Sequence, residues 1–337
     1  MSKRKTLVVA LLAVLALLLC FGDLLVGTTT IPAGEVLGAL FGSASSRQHE
    51  LIVNGVRLPQ ALTALLAGGG LALCGLMMQT LFRNPLAGPS VLGVTSGAGL
   101  GVAVFMLAGG AVGGMFLEAG LVGAAFVGAM VVLLLIALAD RRIGDGVTLL
   151  IVGLMIGYLC GALVSVLEVY GTSSAVKGFV LWGMGSFSGT TTNDLFWLGP
   201  LVVFCSVLAL FQGKALNALL AGEEQAATFG VRVRRVRTWT IVLCGLLAST
   251  ITAFCGPVAF IGLVTPHIAR GILRTTDHLV LLPACLLIGS SLALMCDLLT
   301  RLPGVSGNLP LNAVTSLLGA PVVLWVLLQG RNFYRSA

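Results

Sequence analysis

Residues 219–237 read LLAGEEQAATFGVRVRRVR, and they decide what kind of protein this is. The stretch holds Glu223, Glu224, Arg232, Arg234, Arg235 and Arg237, whereas only 9% of the chain is Asp, Glu, Lys or Arg. Apolar runs at 194–212 and 237–255 flank it. Each comes close to the roughly 20 residues that cross a bilayer. A charged patch between two such runs reads as a loop joining membrane helices.

The rest of the chain agrees. Its 337 residues are 58% hydrophobic, with a mean hydropathy of +1.08. A soluble domain is nearer half apolar and a quarter charged. The 45 glycines suit helices that approach closely in a bilayer. The net charge of +7 sits in short loops between apolar runs, as topology signals do, and does not indicate nucleic acid. The eight cysteines lie in or beside apolar segments and form no CxxC pair, which reads as small apolar filler. The three histidines are scattered, so no His-built metal site is expected. The first apolar run follows Lys3, Arg4 and Lys5 and lacks a cleavage signal, so it reads as an uncleaved first membrane helix.

About ten spans are expected, at 7–27, 60–81, 91–109, 117–139, 147–169, 194–212, 237–255, 258–270, 279–299 and 311–329. The eighth follows Gly256-Pro257 and is short, as a half-spanning or broken helix would be. With the N-terminus inside, 15 of the 19 basic residues fall on the cytoplasmic side and 4 outside, so both termini are assigned to the cytoplasm. The expected fold class is thus all-α, a polytopic integral membrane protein. Residues 1–337 are expected to form one membrane-embedded domain with a cytoplasmic segment at 213–236. Outside, 30–59 contains an amphipathic piece, IPAGEVLGALFG, and 171–193 is rich in Gly and Ser; neither reads as a simple turn.

Chemistry is scarce. There is no GxxxxGK[ST], no HExxH and no Ser-His-Asp arrangement, so neither an ATP site nor a catalytic centre is expected. No acidic residue falls clearly at mid-membrane, which weighs against an ion-coupled secondary transporter. Asp297 and Arg301 are spaced to pair at a helix end.

Residues 223–229 can form a short helix, with Glu223 and Glu224 in its first turn and Gly230 as a left-handed C-cap. It carries Ala226, Ala227 and Phe229. A solvated loop with orienting arginines and a helix offered to a partner's groove both fit. In residues 83–89, RNPLAGP, Pro85 and Pro89 fix the backbone and Asn84 can bond it, which reads as a rigid turn. Residues 265–270, TPHIAR, read as the end of the short eighth helix, with Pro266 as a structural-turn residue and His267 as a hydrogen-bonding cap residue. Gly153, Gly157, Gly161 and Ser165 recur every fourth residue, making a stripe of small side chains.

Three blocks carry a resemblance. VRLPQALTALLAGGGLALCGLMMQTLFRNPLAGPSVLGVTSGAGLG (56–101), GPVAFIGLVTPHIAR (256–270) and LPLNAVTSLLGAPVVLWVLL (309–328) resemble, in order, motifs of the FecCD family. These are permease subunits of bacterial ABC importers for iron-siderophores, haem and cobalamin. Gly222, Glu223, Ala226 and Gly230 resemble that family's coupling loop, with Phe229 in its Leu position. The chain departs from the pattern at Gln60, Gly88, Asn308 and Asn312. The resemblance implies an ABC importer permease of the inner membrane, most often for a ferric siderophore. It works as a homodimer with two separate ATPase subunits, which bind the ATP and Mg, and with a substrate-binding protein outside. It further implies ATPase coupling at Gly222, Glu223, Glu224, Ala226, Ala227, Phe229, Gly230 and Arg270. Gly157, Gly161 and Ser165 would line the pathway, and Arg57 and Arg301 would be outward cations that dock the binding protein. Membrane lipid is the remaining partner.

Overall fold

The structure is a computed structural model that describes residues 3–27, 29–43, 45–108, 115–143, 145–301 and 309–333. Asn308 lies outside them. Among the described residues the only regular elements are helical. In chain order they are α1 (Lys3–Leu25), α2 (Ala33–Leu40), α3 (Arg47–Ile52), α4 (Leu58–Leu81), α5 (Val94–Ala103), α6 (Met115–Ile143), α7 (Gly146–Tyr170), α8 (Ser173–Gly183), α9 (Thr192–Phe211), α10 (Gly213–Leu220), α11 (Glu223–Thr228), α12 (Val233–Cys255), α13 (Ile261–Leu273), α14 (His278–Thr300) and α15 (Leu311–Phe333). Seven of the helices are long and apolar enough to cross a bilayer, and those based on α5, α13 and α15 are shorter apolar helices, giving the expected ten. The outside segments expected to be more than turns contain α2, α3 and α8.

Helix α4 is the hub. It packs against α9, α12, α13 and α14, and from Ala67 to Leu81 every residue is buried. In hydrocarbon no hydrophobic drive holds helices together, so close contact must do it. Glycine supplies that contact. A Cβ on Gly68 would lie 2.3 Å from the Gly289 carbonyl oxygen of α14, and one on Gly97 of α5 would lie 2.6 Å from the Gly128 oxygen of α6. Pro266, expected at a turn, instead lies inside α13, where it has no amide to offer the Gly262 carbonyl four residues earlier. That carbonyl meets α4 at Gly75, where a Cβ would sit only 1.6 Å from its oxygen.

Helix α13 begins abruptly at Phe260, whose φ of +65° is rare for a residue with a side chain. Asn312 of α15 holds the preceding loop. Its side-chain oxygen accepts from the Ala259 amide at 2.9 Å, and its amide donates to the carbonyls of Pro257 at 2.8 Å and Gly183 at 3.2 Å.

Candidate functional site

The segment 219–237 folds as its residues suggest. Glu223 and Glu224 open α11, and Gly230 follows it with φ +81°. The Val231 amide donates to the Ala226 carbonyl at 3.1 Å and the Gly230 amide to the Ala227 carbonyl at 3.0 Å. These two bonds are the Schellman arrangement, which satisfies carbonyls left over at a helix end. Ala226 is fully buried beneath the helix, while Glu223, Glu224, Ala227 and Phe229 are exposed. Phe229 is 71% exposed, so an aromatic ring and the Glu224 carboxylate face away from the chain.

Below α11 lies an ion pair that sequence reasoning did not assign. Arg237 of α12 is buried and bonds Asp140 at the end of α6. Its guanidinium also reaches Glu223 of α11 at 4.0 Å. Thr238 donates to the same Asp140 carboxylate at 3.4 Å. The short helix therefore rests on a joint between two membrane helices. Nothing local in the sequence marks this pair, because its members are 97 residues apart.

The turn after α4 abuts this unit. Asn84 accepts from the Leu86 amide at 2.9 Å, the expected local bond. The Pro85 carbonyl meets His267 Nε2 at 2.9 Å. A Cβ on Gly222 would lie 3.5 Å from Arg83 Nη2, so turn and coupling segment are neighbours. Pro89 packs on Gly262 of α13. Arg270 donates to Gln79 of α4 at 2.8 Å, and Gln79 donates to the Leu263 carbonyl at 3.1 Å. Arg270 is thus held within the chain, at the same end as α11. On the other flank, Asn217 of α10 donates to Asp277 at 2.6 Å and accepts from the His278 amide at 2.7 Å. The Asn217 amide, foremost among several bonds, holds the Asp277 carboxyl below the usual carboxylate range.

The small-residue stripe of α7 divides along its length. A Cβ on Gly153 would meet the Val91 carbonyl oxygen at 2.6 Å, whereas one on Gly157 would have ordinary contact with Ser96 Oγ at 3.4 Å. At Gly161 a Cβ would meet nothing within 4 Å, and Ser165 is exposed. One end of the stripe is packing; the other is an open face.

Arg57 and Arg301 correct the sequence reading. They were expected as outward cations, but both are held inside the chain. Arg57 is 3% exposed and donates to the carbonyls of Leu24 at 2.8 Å, Leu25 at 3.1 Å and also Thr29. It caps the end of α1, where unpaired carbonyls need donors. Arg301 bonds Asp23 of α1 and, at 2.6 Å, Asp297 of α14. Gln60, one of the departures noted above, donates to both Asp297 oxygens at 3.1 and 2.9 Å. These groups tie α1, α4 and α14 together and are not available for electrostatic docking.

Comparison with known proteins fits this architecture. Residues 12–329 match the FecCD transport family. The chain is 37% identical over 329 residues to the vitamin B12 import system permease protein BtuC of Klebsiella pneumoniae, covering 97% of this chain and 93% of that protein. It is 37% identical over 327 residues to the BtuC of Salmonella typhimurium, covering 97% and 95%. Among solved structures it superposes with a TM-score of 0.83 and 29% identity on an ABC transporter assigned to the metal-chelate type, in an inward-facing conformation, covering 96% of this chain and 99% of that one. The chain belongs to the FecCD transport family and is a multi-pass permease of an ABC importer in the cytoplasmic membrane.

Proposed function

We propose that this permease imports a bulky metal chelate, with cobalamin ahead of a ferric siderophore. The observation that carries cobalamin is the 37% identity to vitamin B12 permeases over 97% of the chain. It reverses the order expected from family frequency alone. The ferric siderophore is kept as second reading because the structural likeness to a metal-chelate transporter also covers the whole chain. In this reading the chain works as a homodimer with both termini in the cytoplasm. The exposed faces at Gly157, Gly161 and Ser165 meet across a central path. Two separate ATPase subunits bind ATP and Mg and grip segment 213–236, chiefly through Glu223, Glu224, Ala227 and Phe229. A substrate-binding protein delivers the chelate from outside. This chain supplies no bond-breaking chemistry; it changes the side to which the path opens.

The test is ATP-dependent uptake into proteoliposomes holding the permease, its ATPase and its binding protein. Labelled cobalamin should accumulate well above the no-ATP control. Glu223→Arg/Glu224→Arg should abolish both uptake and ATPase co-purification. Uptake of ferric siderophore alone would replace cobalamin. Full uptake by the variant would remove α11 as the coupling element.

A further inference from the structure

A second feature lies beside the coupling helix, on the flank where α12 meets α6. Arg141, Arg232, Arg234, Arg235, Thr238 and Trp239 line an open groove of about 580 Å³. No residue of α11 lines it, so it is separate from the exposed face of that helix. Arg141, Arg232, Arg234 and Arg235 are all exposed, and among the described residues none of the four has a carboxylate within 4.0 Å. The carboxylate nearest in sequence, Asp140, is buried and already bonded to Arg237. Arg234 donates to the Arg141 carbonyl at 2.9 Å, which holds one guanidinium across the gap between the helices.

The groove is graded along the helix axis. Arg235, Thr238 and Trp239 are spaced i, i+3, i+4 and share a face of α12. At 1.5 Å per residue the indole sits about 6 Å further into the apolar run than Arg235. Trp239 is 53% exposed. Concentrated positive charge at the end of a span calls for an anion. An exposed indole one turn deeper belongs at the glycerol level of a bilayer, where tryptophan concentrates. A lipid with a phosphate headgroup satisfies both levels at once, whereas a soluble anion satisfies only the first. A scatter of topology-setting arginines needs neither a shared groove nor the tryptophan.

We propose that this groove binds the headgroup of an anionic phospholipid such as phosphatidylglycerol, with the guanidiniums on the phosphate and Trp239 against the glycerol and upper acyl region. The site couples the lipid to the α6–α12 joint on which α11 rests, and it does not depend on which chelate is carried.

The experiment is native mass spectrometry of the purified permease released from nanodiscs of phosphatidylglycerol and phosphatidylcholine, at rising salt. Wild type should keep phosphatidylglycerol in preference to phosphatidylcholine. Arg232→Gln/Arg235→Gln should lower that preference at least about 10-fold, as loss of two interfacial cations predicts. Trp239→Ala should lower it less, and Lys3→Gln/Lys214→Gln, which removes two cations elsewhere on the same side, should leave it unchanged. Equal retention by Arg232→Gln/Arg235→Gln and wild type overturns the site. Equal loss in the Lys3/Lys214 control reduces it to general charge attraction. Displacement by millimolar glycerol phosphate identifies a soluble-anion site instead. Unchanged lipid retention with lost ATPase co-purification gives the groove to a protein partner.

Discussion

Arg301 lies between two buried carboxylates, Asp23 and Asp297, and its own side chain is 6% exposed. Removing one partner from such a cluster strands the others away from water. We therefore expect Arg301→Ala to cost about 3–5 kcal/mol, read as a lowered thermal midpoint in detergent with no binding protein present. A docking cation would behave in the opposite way, with normal melting and weaker capture of the binding protein. Close helix crossings give a second expectation. Gly75→Ala would push a methyl group to within 1.6 Å of the Gly262 oxygen, so backbone must move, at a cost of at least about 1–3 kcal/mol. Gly99→Ala, where a Cβ meets nothing within 4 Å, should melt like wild type. The difference between these glycines was not legible in the sequence. Both sit in apolar runs, and only the crossing partner, far along the chain, separates them. The same holds for Arg57 and Arg301. Near a helix end, a cation that faces solvent and one that caps a neighbouring helix look alike until Asp23 and the α1 carbonyls are in place.

Helix α11 shows the contrary case, because everything that bounds it is local. Glu223 and Glu224 mark its start and Gly230 its end, so sequence alone delimits it; the burial of Ala226, expected with Ala227 and Phe229 among the coupling residues, comes instead from the packing beneath the helix and takes that residue off the exposed face. What it rests on was hidden, since Asp140 and Arg237 meet only through the packing of α6 and α12. This joint gives α11 a mechanical connection to two spans. In the proposed mechanism, Asp140→Asn should leave ATPase binding intact yet lower chelate taken up per ATP by about 10-fold, a coupling loss of ordinary size. Equal losses of uptake and hydrolysis would show simple destabilisation instead. The neighbouring tie at α10 carries a pH dependence of determined sign. Asp277 is held below its ordinary value by Asn217, so its contribution is present at pH above the usual carboxylate range and is lost as pH falls through the lowered value. Amide protection factors in the first turn of α14, referenced to the intrinsic exchange rate at each pH, should fall below about pH 4, and Asp277→Asn should remove that dependence.

Across the whole molecule, burial separates the helices into two groups. Over their apolar stretches the span ending in α4 is 83% buried, α12 72% and α14 67%, against 17% for α7. Hydropathy separates them only in part and in the reverse sense, since the exposed helices are mostly the more apolar ones but the buried α14 exceeds the exposed α9. The number of spans was therefore readable, because length and apolarity suffice, but their placement as hub or rim was so only in part. An exposed apolar helix in a bilayer can face lipid or a second protomer. On α7 the small residues argue for the second. Lipid-facing positions gain nothing from being small, yet Gly161 and Ser165 lie open and in line with Gly157. If this face lines the path of the proposed dimer, bulk added there should obstruct transport without disturbing the fold. We expect Gly161→Leu and Ser165→Phe to keep wild-type expression and melting while chelate uptake is largely lost, with ATP hydrolysis retained. Gly153→Leu should fail differently, in stability, because its Cβ already lies 2.6 Å from the Val91 oxygen. Normal uptake by the Gly161 and Ser165 variants would turn this face of α7 toward lipid and move the pathway to another helix.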